Sequence, residues 1–205
     1  MIGFTNAFVK ITGWLPQLLL FRTKVTYEDK SVQKRHIKGP AIIVSNHNTV
    51  YDYAVMLFVF ITRTLRYQMA EVLFEKQPLG TLLKCLGGIY LNRNSTDTGF
   101  MTESAMILQK GGVVGIFPEG RIPKPGEEKP LEFLPGAAYL VLNTGVKVIP
   151  VYLNGSYFKL KRARAVIGKP MDPRDFCDPA HTEKENITAF AAAMREKVVE
   201  LEGRA

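Results

Sequence analysis

Residues 41–60 read AIIVSNHNTVYDYAVMLFVF, and this stretch decides the fold. The β-branched run from Ala41 to Val44 predicts a short buried strand, because branched side chains favour strands. A polar turn follows, and the mostly apolar residues 50–61 predict a buried helix. A strand that runs into a polar turn and then a helix is typical of α/β domains, in which ligands bind at the carboxyl ends of strands.

The same alternation continues along the chain. Strands are predicted at 65–70, 89–91, 113–117, 146–153 and 164–167, and helices at 79–86, 98–110 and 135–143. The chain closes on an amphipathic helix whose apolar stripe is formed by Ile187, Phe190, Ala191, Met194, Val198 and Leu201. We therefore predict an α/β fold, with a mixed β-sheet covered by helices in a single domain and an N-terminal amphipathic helix.

The composition limits the class of protein. The chain has 205 residues, of which 46% are hydrophobic, so it suits one globular domain and not a disordered segment. Its formal net charge of +8 favours anionic partners such as phospholipid head groups. The two cysteines, Cys85 and Cys177, form no CxxC motif, and the three histidines are scattered, so we expect no metal site.

The first 24 residues are predicted to form a helical segment at a membrane interface. Phe4, Phe8, Ile11 and Leu15 recur at helical spacing, and the nearby positive charges come from Lys10, Arg22 and Lys24. The alternative is that this helix simply packs on the core. We expect no transmembrane helix, because no run of about 20 apolar residues occurs, and no signal peptide, so the protein is expected in the cytoplasm.

The polar turn contains His47, and Asp52 follows five residues later. Five residues of a helix rotate about 140° off one face, so the two side chains meet only if His47 lies in the turn and Asp52 in the first helical turn. There the carboxylate orients one imidazole nitrogen, and the other nitrogen acts as a base. Thr49 and Asp52 also match a helix capping box, which is the structural alternative.

A second polar turn follows the strand predicted at 113–117. Pro118 restricts the backbone before Glu119, and Gly120 permits a tight turn after it. A glutamate in this position can hold substrate hydroxyls, and Arg121 can meet a phosphate. The structural alternative is a common Pro-x-Gly surface turn.

Two shorter segments complete the set. Residues 87–93 read GGIYLNR, and Arg93 at the end of this strand carries a planar guanidinium that suits a phosphate. A lone surface arginine without a role is the structural alternative. Residues 148–151 read VIPV, and Pro150 inside this β-branched run predicts an edge position or a bulge.

The ordered set of these segments resembles the glycerolipid acyltransferase family, which includes 1-acyl-glycerol-3-phosphate acyltransferases. The matching motifs are N-H-x4-D at 46–52, a G-x-I-F-I-x-R-like block at 87–93, F-P-E-G at 117–120 and V-I-P-V at 148–151. Any one motif is weak, whereas the four in this order are highly specific. The resemblance covers about residues 25–170, and it makes 25–205 the predicted acyltransferase domain.

The resemblance implies roles for residues at matching positions. His47 is implied to deprotonate the acceptor hydroxyl, and Asp52 is implied to orient His47. The phosphoglycerol part of the acceptor is implied to be held by Arg93, Glu119 and Gly120. The family usually has a threonine and then an arginine after the glycine, whereas Arg121 follows directly here. No metal or tightly bound cofactor is implied.

The expected activity is transfer of a fatty acyl group from acyl-carrier protein or acyl-coenzyme A to lysophosphatidate, which forms phosphatidate for phospholipid synthesis. The basic cluster Lys159, Lys161, Arg162 and Arg164 suits an acidic carrier protein or an anionic membrane. The expected location is the inner face of the cell membrane, where the protein is peripheral. The alternatives are another acceptor, either glycerol 3-phosphate or another lyso-lipid, and a peripheral lipid-binding protein without catalysis. Nucleic-acid binding is not expected, because no zinc finger or basic-aromatic interleaving occurs.

Overall fold

The computed structural model describes residues 1–92, 98–158 and 162–205. Within these residues, seven strands form one sheet in the order β1-β7-β6-β2-β5-β3-β4. The strands are β1 (Lys24–Tyr27), β2 (Ala41–Ser45), β3 (Leu65–Ala70), β4 (Ile89–Leu91), β5 (Val113–Ile116), β6 (Val148–Leu153) and β7 (Arg164–Ile167). The five strands from β6 to β4 are parallel, and β7 pairs with β6 antiparallel. The predicted mixed sheet is confirmed.

Helices cover both faces of this sheet. They are α1 (Ile2–Thr12), α2 (Trp14–Leu20), α3 (Asp52–Val59), α4 (Glu71–Glu75), α5 (Leu79–Leu86), α6 (Gly99–Gln109), α7 (Pro135–Thr144) and α8 (Glu183–Glu202). The apolar side chains of α3, α4 and α5 pack on one face of the sheet. Those of α6, α7 and α8 pack on the other face, where Phe190 and Met194 of the predicted C-terminal stripe are fully buried. The sheet is therefore the middle layer of three.

The burial of the central strands explains why their sequences predict strands. All five residues of β2 are buried, as are all four of β5 and all six of β6. Strands of a parallel sheet are covered on both faces, so they read as continuous apolar runs. Because β5 and β6 are the two neighbours of β2, the carboxyl ends of these three strands lie side by side.

The prediction that Pro150 lies at a sheet edge is wrong. It belongs to β6, which lies between β2 and β7, and it pairs with Val44 of β2. Its carbonyl accepts a hydrogen bond from the N–H of Gly168, just beyond the last residue of β7. A residue's N and C=O point to the same side of a strand, so the missing N–H faces the end of β7. The regular pairing of β6 with β7 ends there and resumes in an antiparallel bridge between Val148 and Met171, offset by one residue. The sheet therefore accommodates the proline at a bulge-like irregularity, which is the second of the two predicted options.

The N-terminal helices have their polar side inward. Asn6, Lys10 and Gln17 are buried, whereas Phe4 is 78% exposed and the apolar side chains of Phe8, Ile11, Leu15, Leu18 and Leu19 are also exposed. Thus the helices pack on the rest of the domain, as the alternative predicts, but with their polar side, and the apolar stripe faces away from it. Of the three cations predicted to supply surface charge, Arg22 and Lys24 are exposed but Lys10 is not.

Hydrogen bonds hold this helix pair on the rest of the chain. Lys10 Nζ donates to the carbonyls of Ile61 at 3.1 Å and Arg63 at 2.6 Å, beyond the end of α3. Asn6 Nδ2 donates to the carbonyl of Leu86 at 2.9 Å, at the end of α5. Asn6 thus satisfies a carbonyl that the end of α5 leaves unpaired, and Lys10 satisfies carbonyls of the turn that follows α3. In the part of the chain described by the structure, none of the helices combines the length and apolar character needed to span a membrane.

Candidate active site

The candidate site lies where the carboxyl ends of β2, β5 and β6 meet. The turn after β2 carries His47, and the turn after β5 carries Glu119. The turn after β2 is tied to β6 by two asparagines. Asn46 Nδ2 donates to the carbonyl of Leu153 at 2.8 Å, and Asn46 Oδ1 accepts from the Leu153 N–H at 2.7 Å. Asn48 Nδ2 donates to the same carbonyl at 2.7 Å. The position of the turn is therefore fixed by the end of its neighbouring strand.

His47 and Asp52 are in contact, as the spacing predicts. His47 Nδ1 lies 2.7 Å from Asp52 Oδ2, with His47 in the turn and Asp52 at the first residue of α3. The same carboxylate oxygen accepts the backbone N–H groups of Asn48 at 2.6 Å and Thr49 at 2.9 Å. The predicted capping box is not formed, because the N-cap of α3 is Tyr51 and no side chain caps the helix. Of that box only the bond from the Thr49 N–H to the Asp52 carboxylate is present.

The environment of Asp52 determines which nitrogen of His47 carries a proton. Asp52 is fully buried, and its Oδ2 accepts two backbone N–H groups, so this oxygen is a hydrogen-bond acceptor. An acceptor oxygen at this distance requires the proton on Nδ1 of His47, which leaves the lone pair on Nε2. The side chain of His47 is 19% exposed. The arrangement can thus abstract a proton from a bound hydroxyl.

Aromatic packing fixes the plane of the imidazole. The ring of His47 stacks on Phe117 with centroids 4.2 Å apart and an interplanar angle of 12°. The ring of Phe117 in turn packs against the ring of Tyr67, with centroids 4.9 Å apart. A side chain at Gly115 would collide with Tyr67, because an added Cβ would lie 2.2 Å from that ring. The glycine in β5 therefore makes room for the aromatic support of His47.

Glu119 is buried against the same turn. Its Oε1 accepts the backbone N–H of His47 at 2.6 Å, and its Oε2 accepts the N–H of Leu131 at 2.7 Å. Burial raises the pKa of Glu119, and the two backbone hydrogen bonds oppose that rise. The carboxylate joins the turn after β2 to the loop that leads into α7. Whether it also contacts an acceptor stays a prediction.

Gly120 and Arg121 complete the turn after β5. Gly120 has a φ of +69°, so its backbone conformation favours a glycine. Arg121 forms a bidentate ion pair with Glu127, with Nη1–Oε2 at 2.6 Å and Nη2–Oε1 at 2.9 Å. Its predicted contact with a phosphate stays a prediction.

Some predicted residues lie outside the part that the structure describes. Arg93 is one of them, and so are Lys159 and Lys161 of the basic cluster. Arg162 and Arg164 of that cluster are described and exposed. In the described ranges, no group of three or more His, Cys, Asp or Glu side chains is arranged to hold a metal ion.

Sequence reasoning missed one contact in this site altogether. The hydroxyl of Tyr157, four residues after β6, donates to Asp52 Oδ1 at 2.7 Å. No local pattern marks Tyr157, because its partner is 105 residues away in the chain. Asn46 was noted as the first residue of the N-H-x4-D motif without a role. Its pairing with Leu153 is likewise visible only in the fold.

The fold and this site define an α/β protein with a histidine–aspartate pair at the carboxyl end of a central strand. The family model described as acyltransferase matches residues 22–154, so the chain belongs to the acyltransferase family. It is 24% identical over 169 residues to the 1-acyl-sn-glycerol-3-phosphate acyltransferase of Bacillus subtilis, which covers 80% of this chain and 81% of the relative. It is 24% identical over 205 residues to the Borreliella burgdorferi protein of the same name, and that alignment covers 95% of this chain and 76% of the relative.

A solved structure matches the whole fold. The 1-acyl-sn-glycerophosphate acyltransferase from Thermotoga maritima aligns with a TM-score of 0.64 at 22% identity, and the match covers all of this chain and 80% of that one. The likeness at this identity concerns the fold. It includes the N-terminal helices, because the alignment spans the full chain.

Proposed function

We propose that the protein is a 1-acyl-sn-glycerol-3-phosphate acyltransferase. The fatty acyl group of a thioester moves to the free hydroxyl of lysophosphatidate, and phosphatidate and a free thiol are formed. The observation that carries the proposal is the 2.7 Å contact between His47 Nδ1 and Asp52 Oδ2 at the carboxyl end of β2. The names of the bacterial relatives support lysophosphatidate as the acceptor.

His47 is the general base in the proposed reaction, and Asp52 holds the proton on Nδ1. The lone pair on Nε2 of His47 takes the proton of the acceptor hydroxyl as its oxygen attacks the carbonyl carbon of the thioester. The tetrahedral intermediate then collapses, the C–S bond breaks, and the imidazolium returns its proton to the leaving thiolate. A positioned base contributes about 10²–10⁴ in rate.

The acceptor's phosphoglycerol part is proposed to lie beside the turn after β5. Arg93 and Arg121 are the proposed phosphate ligands, and Gly120 lets the acceptor approach the backbone. Glu119 is the proposed partner of a glycerol hydroxyl. Each carboxylate oxygen has two acceptor sites, so Glu119 can keep its two backbone hydrogen bonds while it accepts a third.

The N-terminal helices are proposed to lie in the membrane interface. Their exposed face carries aromatic and aliphatic side chains, including Phe4, Phe8 and Leu15. Such a face costs free energy in water and is stabilised among lipid acyl chains. The exposed cations Arg22 and Lys24 at the end of α2 suit anionic head groups. The proposed location is the cytoplasmic face of the cell membrane, where phosphatidate for phospholipid synthesis is needed.

The donor is proposed to be acyl-carrier protein or acyl-coenzyme A. Both are anionic, and the net charge of the chain is +8. The exposed Arg162 and Arg164 are available for an acidic donor. Charge alone favours neither of the two donors, so the experiment must include both.

An acceptor panel tests the proposal. Purified protein on anionic vesicles is given labelled acyl-carrier protein or acyl-coenzyme A with lysophosphatidate, glycerol 3-phosphate or lysophosphatidylcholine, and products are identified by mass spectrometry. We expect phosphatidate from lysophosphatidate as the main product. A product from another acceptor at a higher rate would replace the proposed substrate, and vesicle binding without any product would favour the non-catalytic lipid-binding alternative.

A further inference from the structure

The buried tyrosine beside Asp52 is not explained by the histidine–aspartate pair alone. The hydroxyl of Tyr157 donates to Asp52 Oδ1 at 2.7 Å, and the two side chains are 6% and 0% exposed. The other carboxylate oxygen, Oδ2, accepts His47 Nδ1 and two backbone N–H groups. The two oxygens therefore have separate partners, and Tyr157 acts on the one that does not face His47.

This division fixes the carboxylate plane. Rotation about the last bond of an aspartate side chain is soft, so one well-bonded oxygen does not determine where the plane lies. A hydrogen bond to each oxygen does determine it. Because the lone pair that accepts the Nδ1 proton lies in the carboxylate plane, the orientation of His47 depends on both oxygens.

Tyr157 is well suited to remain a donor. Burial and the negative charge of Asp52 raise the pKa of the Tyr157 hydroxyl above its ordinary value, so the proton stays on its oxygen at neutral pH. Loss of this donor would leave a fully buried carboxylate oxygen without its partner, which costs more than an ordinary hydrogen bond contributes.

The ring of Tyr157 is itself held in place by the end of the N-terminal helices. It packs edge-to-face against Phe21, the residue after α2, with centroids 5.5 Å apart. The Phe21 carbonyl also accepts the N–H of Ala163 at 3.1 Å. Thus Tyr157 and Ala163 both contact Phe21, the residue that follows the helical pair.

We propose that Tyr157 is a positioning residue that orients Asp52, and through it His47, by donating a hydrogen bond to Asp52 Oδ1. This inference rests on the proposed function for its kinetic consequences and on the geometry alone for its spectroscopic ones. It gives Tyr157 no contact with substrate. Its substitution must therefore change the catalytic rate constant and leave the KM of both substrates nearly unchanged.

The test compares Tyr157→Phe with Tyr152→Phe. Tyr152 is a matched control, since its hydroxyl donates to Glu202 Oε1 at 2.8 Å on the opposite face of the sheet. We expect Tyr157→Phe to lower kcat about tenfold, as for a lost hydrogen bond to a charged group, and Tyr152→Phe to leave kcat within twofold. In an Asp52→Asn background, Tyr157→Phe should cost less than twofold, because the residue acts through Asp52. An equal loss in both backgrounds would overturn the proposal.

A measurement without substrate separates this inference from the proposed function. The hydrogen-bonded Nδ1–H proton of His47 gives a downfield ¹H NMR signal in the wild type, which should shift in Tyr157→Phe and stay in place in Tyr152→Phe. If Tyr157→Phe does not fold, Phe21→Leu keeps the hydroxyl, loosens its ring contact and must move the same signal. If the signal shifts in Tyr157→Phe but the wild type has no acyltransferase activity, only the proposed function is contradicted. If the signal does not move in Tyr157→Phe, the role of Tyr157 is overturned.

Discussion

The sheet and the N-terminal helices distribute polar and apolar side chains in opposite ways. The central strands bury apolar side chains on both faces and place polar ones in the turns at their carboxyl ends. The helix pair α1–α2 buries Asn6, Lys10 and Gln17 and leaves its apolar residues exposed. The first arrangement is stable in water. The second leaves a large apolar face that needs a non-aqueous partner.

The comparison also shows how the two regions are joined. The apolar faces of the sheet are held by packing, whereas the helix pair is held by side chains that donate to carbonyls at the ends of α3 and α5. Because α3 begins with Asp52, the helix that carries this carboxylate also has Lys10 bound just beyond its other end. The two regions can therefore be tested separately, by chemistry in one and by lipid binding in the other.

The largest effect is expected from Asp52→Asn, which tests the chemical region alone. The amide has nearly the same shape but cannot hold the proton on His47 Nδ1 as a carboxylate does, so the base is lost. We expect acyl transfer to fall about 10²–10⁴-fold, with vesicle binding unchanged. Asp172→Asn is the control, since Asp172 lies in an exposed ion pair with Arg174. Equal activity of the two variants would remove Asp52 from the mechanism.

The proposed membrane contact of the helix pair is tested by replacing Phe4, Phe8 and Leu15 with serine. Each side chain contributes about 1.5–3 kcal/mol when fully buried, so partial insertion of three predicts about a hundredfold weaker binding to anionic vesicles. A sedimentation assay measures it. The control carries serine at Val32, Met106 and Val199, which are also exposed but lie elsewhere. Similar losses in both triple variants would show that the helix pair has no special role in lipid binding.

The junction between the two regions predicts a pH dependence of stability. Burial lowers the pKa of Lys10 from 10.5 to about 8. Below pH 8, Lys10 is protonated in both the folded and the unfolded chain. Between pH 8 and 10.5, Lys10 of the unfolded chain binds the proton more than Lys10 of the folded chain does. The free energy of unfolding therefore rises with pH in this window. Since one pKa unit corresponds to about 1.4 kcal/mol, the rise from pH 8 to 9.5 is about 2 kcal/mol.

Urea unfolding of wild type and Lys10→Met at each pH measures this rise. The difference between the two proteins cancels the titration of other groups. We expect the free energy of unfolding of the wild type to rise relative to that of Lys10→Met as pH increases. A difference that is flat or falls with pH would mean that the burial of Lys10 does not disfavour its charged form.

The smallest effect on stability is expected from Arg121→Gln. Its ion pair with Glu127 is exposed, and such pairs contribute about 0–1 kcal/mol, so the melting temperature should scarcely change. If Arg121 binds the acceptor's phosphate, the KM for lysophosphatidate should rise about fivefold or more, while the KM for the donor stays constant. An unchanged acceptor KM would remove Arg121 from the site, and Arg174→Gln provides the control for a surface arginine paired with a carboxylate.

The part of the fold that sequence reasoning predicted is the part with strong local signals. The bounds of β3, β4, β7 and α5 are as predicted. Buried and half-buried residues alternate along β3, and Gly87 ends α5. Among the elements that were missed are β1, α4 and the short 3-10 helix Pro173–Phe176. The four residues of β1 are exposed or half-buried and lack a strand pattern, and the five residues of α4 follow β3 without a break.

In the candidate site, too, sequence reasoning predicted only contacts between residues that are close in the chain. The contact between His47 and Asp52 was predictable, since both lie in one turn and its helix. The ties to Leu153 and Tyr157 were not, because they join segments more than 100 residues apart. The burial of Lys10 was also unpredictable from periodicity, which identified the apolar stripe of α1 but not the side on which the domain lies.

The rate of labelled phosphatidate formation by wild type and His47→Ala tests the central claim most directly. Both proteins are assayed on the same vesicles with bound protein measured in parallel, and His181→Ala, an exposed histidine elsewhere, is the control. The account predicts that His47→Ala loses at least about a hundredfold in rate while it binds vesicles as the wild type does. A His47→Ala variant that retains wild-type activity would contradict the account.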